Sequence, residues 1–108
     1  MAMTVLGSGT QTATISTEHT LDTDTSGVAT VLAVDLGNLA AGDIVELRLY
    51  TKILTGSTER LAYFAVYANV QGCPNVYSVP VPADISVKAT LKQTAGTGRA
   101  FAWSLLGF

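Results

Sequence analysis

The sequence predicts an all-β fold, an antiparallel β-sandwich of jelly-roll kind with about seven or eight strands. Three observations carry that prediction. Residues 45–53 and 85–92 alternate apolar and polar with period two, the pattern of strands dry on one face and wet on the other. Turn-forming Gly, Pro, Asn and Asp recur at roughly the 8–12 residue spacing of a sandwich. No segment holds a helical period for two turns. An immunoglobulin-like Greek-key sandwich fits the same pattern and stands as the alternative. A chain of 108 residues is one domain, able to bury roughly 65% of its unfolded surface without covalent staples.

Taken in order, residues 1–9 end in Gly7-Ser8-Gly9 and read as a flexible N-terminal arm, with a single sandwich domain over 10–108. Thr10–Thr17 is rich in β-branched residues with weakly distinguished faces, so it is expected at a sheet edge. Glu18–Gly27 reads as a polar connection holding the turn cluster Asp22–Gly27. Val28–Asp35 is apolar on both sides and is expected in the middle of a sheet. Leu36–Asp43, flanked by glycine, is too short for more than one helical turn or a wide loop.

The organising element is a hairpin over Asp43–Val70, turning at Thr55-Gly56-Ser57-Thr58. Its first arm places Val45, Leu47, Leu49 and Ile53 on one face and Glu46, Arg48 and Lys52 on the other. Its return arm, Leu61–Val70, carries no charge and large apolar residues on both faces, as a strand covered on both sides would. After a break at Gln71–Asn75, Val76–Val79 is a short strand closed by Pro80 and Pro82, which confine it to an edge or crossing. Ile85, Val87, Ala89 and Leu91 then share a dry face. A hairpin turn at Ala95–Gly98 leads into a packed final strand, Arg99–Leu106, with Phe101, Trp103 and Leu105 on one side.

Hydrophobic residues make up 48% of the chain and charged residues 13%, the latter about half the usual share. Part of that apolar surface is expected to be buried by a partner, a tight monomer with a Thr- and Ser-coated exterior being the alternative. A homo-oligomer, dimer or trimer, is the expected remedy. A formal net charge of −2 and scattered basic residues argue against nucleic acid. The uncharged run 61–83 is broken by Asn69, Gln71, Gly72 and three prolines, so it is not expected to cross a membrane. One cysteine, Cys73, excludes an internal disulfide and suits a reducing compartment.

No catalytic constellation assembles, and the chain is expected not to be an enzyme and to need no cofactor or metal. His19, the single histidine, has no nucleophile context around it and reads as a loop residue. Asp22–Gly27 resembles the start of a calcium loop, but Ala33 stands where the closing Glu belongs. Gly96-Thr97-Gly98-Arg99 precedes a strand, not the helix a phosphate cradle needs. Glu46 and Glu59 lie beside Arg48, Lys52 and Arg60, so ion pairing explains them better than glycoside chemistry. Tyr50, Tyr63, Tyr67, Val76, Tyr77 and Val79 are the candidate interface residues, since strand aromatics serve cores and protein contacts more often than sugar platforms.

Two segments carry a family resemblance. One runs from Leu39-Ala40-Ala41-Gly42-Asp43 through Glu46–Lys52 to Thr55-Gly56-Ser57-Thr58-Glu59-Arg60. The other is Gln93-Thr94-Ala95-Gly96-Thr97-Gly98-Arg99-Ala100-Phe101-Ala102-Trp103-Ser104. Together they resemble small virion proteins of tailed bacteriophages. The resemblance implies a head decoration or cement protein, made in the host cytoplasm and placed on the capsid surface, with the major capsid protein as partner. The stretch Tyr63–Val79 and the 1–9 arm are then the expected interface. A tail or baseplate component with a carbohydrate-binding or adaptor role is the alternative.

Overall fold

The computed structural model describes residues 3–108. Eight strands form: β1 (Thr4–Thr12), β2 (Glu18–Asp24), β3 (Thr30–Asp35), β4 (Ile44–Thr51), β5 (Arg60–Ala68), β6 (Asn75–Tyr77), β7 (Val87–Ala95) and β8 (Ala100–Gly107). They make two antiparallel four-stranded sheets, ordered β1-β8-β3-β6 and β2-β7-β4-β5. That order is the jelly roll, in which the chain passes back and forth between two facing sheets. Only β4 and β5 are consecutive strands of one sheet. The molecule measures 41 × 31 × 19 Å, and its short axis fits two sheets about 10 Å apart with their outer side chains.

The core lies between the sheets and follows the alternation. Val45, Leu47 and Leu49 of β4 and Val87, Ala89 and Leu91 of β7 are buried on one side, facing Leu32 and Val34 of β3 and Phe101 and Leu105 of β8. The loop 36–43 adds Leu36 and Leu39. These positions are all but sealed from water.

Several expectations need correction. The segment read as an arm is strand from Thr4 onward, paired along β8 from Thr4↔Gly107 to Thr12↔Ala100. Met1 and Ala2 lie outside the described residues. Gly7 serves close approach rather than flexibility, because a Cβ there would run into the Asp22 carboxylate. The strand expected over Thr10–Thr17 therefore ends at Thr12, and Ser16 turns the chain with φ of 67°. The polar connection expected over 18–27 contains β2, whose polar look is that of a sheet edge, with only Leu21 packed against the core.

The return arm of the hairpin is not covered on both sides. β5 is the outer strand of its sheet, and Leu61, Phe64 and Val66 point to solvent. Ile53 lies past the end of β4 and is exposed rather than sharing the face of Val45. The turn at Ala95–Gly98 is a crossing between sheets, since β7 and β8 belong to different ones.

That crossing is held by a buried polar node. The Asp43 side chain, 1% exposed, accepts from the Ala40 amide at 2.9 Å, Arg99 Nε at 2.8 Å and the Thr97 amide at 3.2 Å. Gln93, fully buried, donates from Nε2 to the carbonyls of Ala95 and Thr97 and accepts from the Arg99 amide. A buried carboxylate or amide is tolerable only when satisfied in this way. Gly96, at φ of +89°, is packed so closely on Asp43 that no side chain fits. The two segments that carry the family resemblance thus meet at one structural joint, through Ala40 and Asp43 of the first and Gln93, Thr97 and Arg99 of the second.

Candidate interaction surface

The outer face of the β2-β7-β4-β5 sheet is ordered in cross-strand rows. Glu18, Lys92, Glu46 and Val66 form one, Thr20, Thr90, Arg48 and Phe64 the next, and Thr23, Lys88, Tyr50 and Leu61 the third. Polar members of the three rows are knitted together. Glu18 Oε2 accepts from Tyr50 Oη at 2.6 Å and from Thr90 Oγ1 at 2.7 Å. Arg48 Nη2 pairs with Glu46 at 2.7 Å while its guanidinium lies 4.7 Å from the Phe64 ring centroid. Lys88 pairs with Glu59 at 3.0 Å and sits 4.7 Å above the Tyr50 ring. Such contacts fix these side chains against one another across the face.

Burial pushes the Glu18 carboxyl up, but the two hydroxyl donors and the charges of Arg48 and Lys88 outweigh it and hold it below its usual value. Burial, then the Glu18 partner, raises the Tyr50 hydroxyl, keeping it a neutral donor. Burial also raises the Tyr63 hydroxyl.

The six expected interface residues separate. Tyr63, Tyr67 and Val76 turn inward and pack against the core. Tyr50 is half-buried in the polar array just described. Tyr77 and Val79 are outward and 61% and 58% exposed. Within the expected stretch 63–79 the outward residues of β5 are instead Phe64, 45% exposed, and Val66, 49% exposed, with Leu61 at 51% just before them. Pairing supplies the reason: Tyr63 and Tyr67 lie opposite Leu49 and Val45, which face the core, so their neighbours must face out.

Two clefts open at one end of the sandwich. One, of about 440 Å³, is lined by Thr51, Ile53, Ser57, Arg60, Leu61 and Ala62. The other, of about 490 Å³, is bordered by Ile53, Ala62, Val79, Pro80, Pro82 and Asp84. They share Thr51, Ile53 and Ala62 and make one apolar patch rimmed by Lys52, Arg60 and Asp84, with exposed Leu54 following Ile53 in the chain. A third, shallower groove of about 250 Å³ lies on the other sheet's outer face, between Tyr77 and the small side chains of Ala33, Ala102 and Ser104, with Asp35 and Asn75 at its end.

The residues weighed for chemistry are dispersed into structural contacts. His19 is in β2, and its Nε2 accepts from the Thr14 amide at 3.0 Å. Cys73 is exposed in the β5–β6 loop. Glu46 and Glu59 each hold a cation. Among the described residues, no group of three or more His, Cys, Asp and Glu gathers to hold a metal ion. The chain matches no protein-family model, no curated protein and no solved structure.

Proposed function

We propose that this chain is a structural protein of a tailed-bacteriophage particle, a decoration or cement protein that sits on the head and clamps neighbouring major capsid subunits. The observation that carries the reading is the apolar patch of Ile53, Leu54, Leu61 and Val79 around the paired clefts. An apolar centre with a charged rim is the anatomy of a protein contact, where a few deeply buried anchors supply most of the affinity. On a lattice, many copies binding the assembled state stabilise it by mass action, with no cofactor and no reaction. The resemblance of residues 39–60 and 93–104 to small phage virion proteins supplies the particle and the partner.

Expanded capsids incubated with the pure protein and sedimented should carry it down. Ile53→Asp combined with Leu54→Asp, both exposed and outside the strands, should weaken binding at least tenfold and leave the melting temperature unchanged. Failure of the unaltered protein to bind capsids, or equal binding by the variant, overturns the reading.

The groove beside Tyr77 favours a second reading, a tail or baseplate component that holds carbohydrate. An exposed ring can stack on the apolar face of a sugar while Asp35, Asn75 and Ser104 meet its hydroxyls. Glycan-array binding abolished by Tyr77→Ala, without capsid binding, would replace the first reading with this one.

A further inference from the structure

Sheet edges are where β proteins meet unwanted neighbours, and the four edges of this sandwich are treated differently. β6 is three residues long and is bracketed by Pro74 and by Pro80 and Pro82. β2 carries Glu18, Asp22 and Asp24 and a register shift between Thr20 and Asp22, so two copies of it would set acid against acid. β1 has a register shift between Val5 and Gly7, where the Asp22 carboxylate lies against it, and from Gly7 to Thr12 only Gly, Ser, Thr and Gln, which offer a second copy no large apolar pairs. Short length, proline, charge and bulges are the usual devices that keep an edge from pairing. β5 has few of them. It is nine residues long, its single charge is Arg60 at the first position, and its one irregularity lies near that same end, between Leu61 and Tyr63. From Tyr63 to Ala68 it is regular, uncharged and open along one side.

We infer that β5 pairs antiparallel with β5 of a second copy about a two-fold axis, joining the two β2-β7-β4-β5 sheets into one eight-stranded sheet. The inference stands apart from the capsid reading, since it rests on the edge and not on the clefts. Symmetry and alternation restrict the register. Directly opposed residues of an antiparallel pair point to the same face, so the axis must pass through a residue and not between two. Placed at Ala65, it sets Phe64 against Val66 of the second copy on the outer face, twice. It also sets Tyr63 against Tyr67 on the inner face, twice. Those are the aromatic and aromatic-to-branched pairs that stabilise sheets. Moved to Phe64, the axis opposes Tyr63 with Ala65 and runs Val66 into the irregularity; moved to Val66, it opposes Phe64 with Ala68 and Tyr67 with Ala65. Only the Ala65 register matches large with large. It introduces no like charges, extends the core through the half-buried tyrosines, and hides Phe64 and Val66.

Light scattering on the eluting protein should give twice the mass of one chain. Val66→Lys, at an outward-facing position, should give the mass of one chain with a circular dichroism spectrum unchanged. For the register, the background is Cys73→Ser. There, Ala65→Cys should oxidise to a linked dimer, because opposed Cα atoms at the axis lie within disulfide reach. Leu61→Cys, several residues from the axis, should not. One-chain mass for the unaltered protein at millimolar concentration overturns the pairing, as does a dimer that survives Val66→Lys. Equal cross-linking at 61 and 65 overturns the register. Should Ala65→Cys fail to fold, the mass measurements on the unaltered protein and Val66→Lys decide. A one-chain protein that still binds capsids removes this interface and leaves the capsid reading intact.

Discussion

Asp43 shows at the scale of one residue how a loop motif can be conspicuous without being a site. Its carboxylate is held below the ordinary range, first by the hydrogen bond from Arg99, then by the Ala40 amide, with burial opposing and the Thr97 amide and the Arg99 charge adding to the fall. Glu18 is lowered too, for reasons of its own on the opposite surface of the same sheet. A carboxylate whose folded pKa lies below its unfolded value stabilises the fold above the unfolded pKa, and that contribution is lost as pH drops through the folded one. The melting temperature is therefore expected to be flat from neutral pH down to about 5 and to fall by several degrees toward pH 3. Glu18→Gln should shallow the fall, and Asp43→Asn should both shallow it and lower the neutral-pH value, since Nδ2 cannot accept from Arg99. A melting temperature indifferent to acid would contradict this. In the sequence, Gly96-Thr97-Gly98-Arg99 is legible as a turn and Asp43 as a loop residue. That they meet is not legible, because 54 to 56 residues separate the partners.

At the scale of the element, legibility tracks how sharply a strand's two faces differ. β4 and β7 stand out because one face meets the core and the other meets water, so the alternation has both a period and a sign. β5 has the period without the sign: large apolar residues occupy both faces, and Tyr63 and Tyr67 look as outward-facing as Phe64 and Val66. Only the pairing to β4, shifted by the irregularity between Leu61 and Tyr63, decides. β2 hides because an edge strand built from Thr, Asp and Glu has the composition of a loop. The crossing at Ala95–Gly98 passes for a hairpin because positive-φ glycine serves either path. The last strand, by contrast, is readable and consequential. β8 lies between β1 and β3 and carries Phe101 and Leu105 into the core. A chain ended at Gly98 should lose cooperative thermal unfolding and expose dye-binding apolar surface. A sharp melt from that truncated chain would show that β8 is dispensable.

At the scale of the whole molecule, the jelly-roll order makes almost every strand partner distant in sequence. β1 pairs with β8 and β2 with β7, and only β4 and β5 form a local hairpin. Loop-closure entropy must be met before those pairings return any energy, so folding is expected to be slow, in roughly the millisecond-to-second range of non-local β proteins. Stopped-flow refolding followed by Trp103 fluorescence measures it, and a sub-millisecond relaxation would contradict it. The alternation and turn spacing sufficed for the sandwich class. The choice of jelly roll over Greek key depends on which strands meet across those distances, which no local pattern encodes.

The β1–β8 register also dictates where anything can be attached. Thr4 lies opposite Gly107, Gly107 opposite Thr30, and Thr30 bridges to Val81 in the wall of the larger cleft. The first residues of β1 and the last of β8 thus lie at the pole that bears the apolar patch. An affinity tag or fluorescent payload fused next to either strand would share that pole with the proposed docking surface. The opposite pole is roomier: Gly72, in the loop that also carries the lone thiol, has no neighbour within 4 Å of where a side chain would begin. Payloads inserted there, or coupled to Cys73, would lie at the far end of the fold from the proposed docking surface.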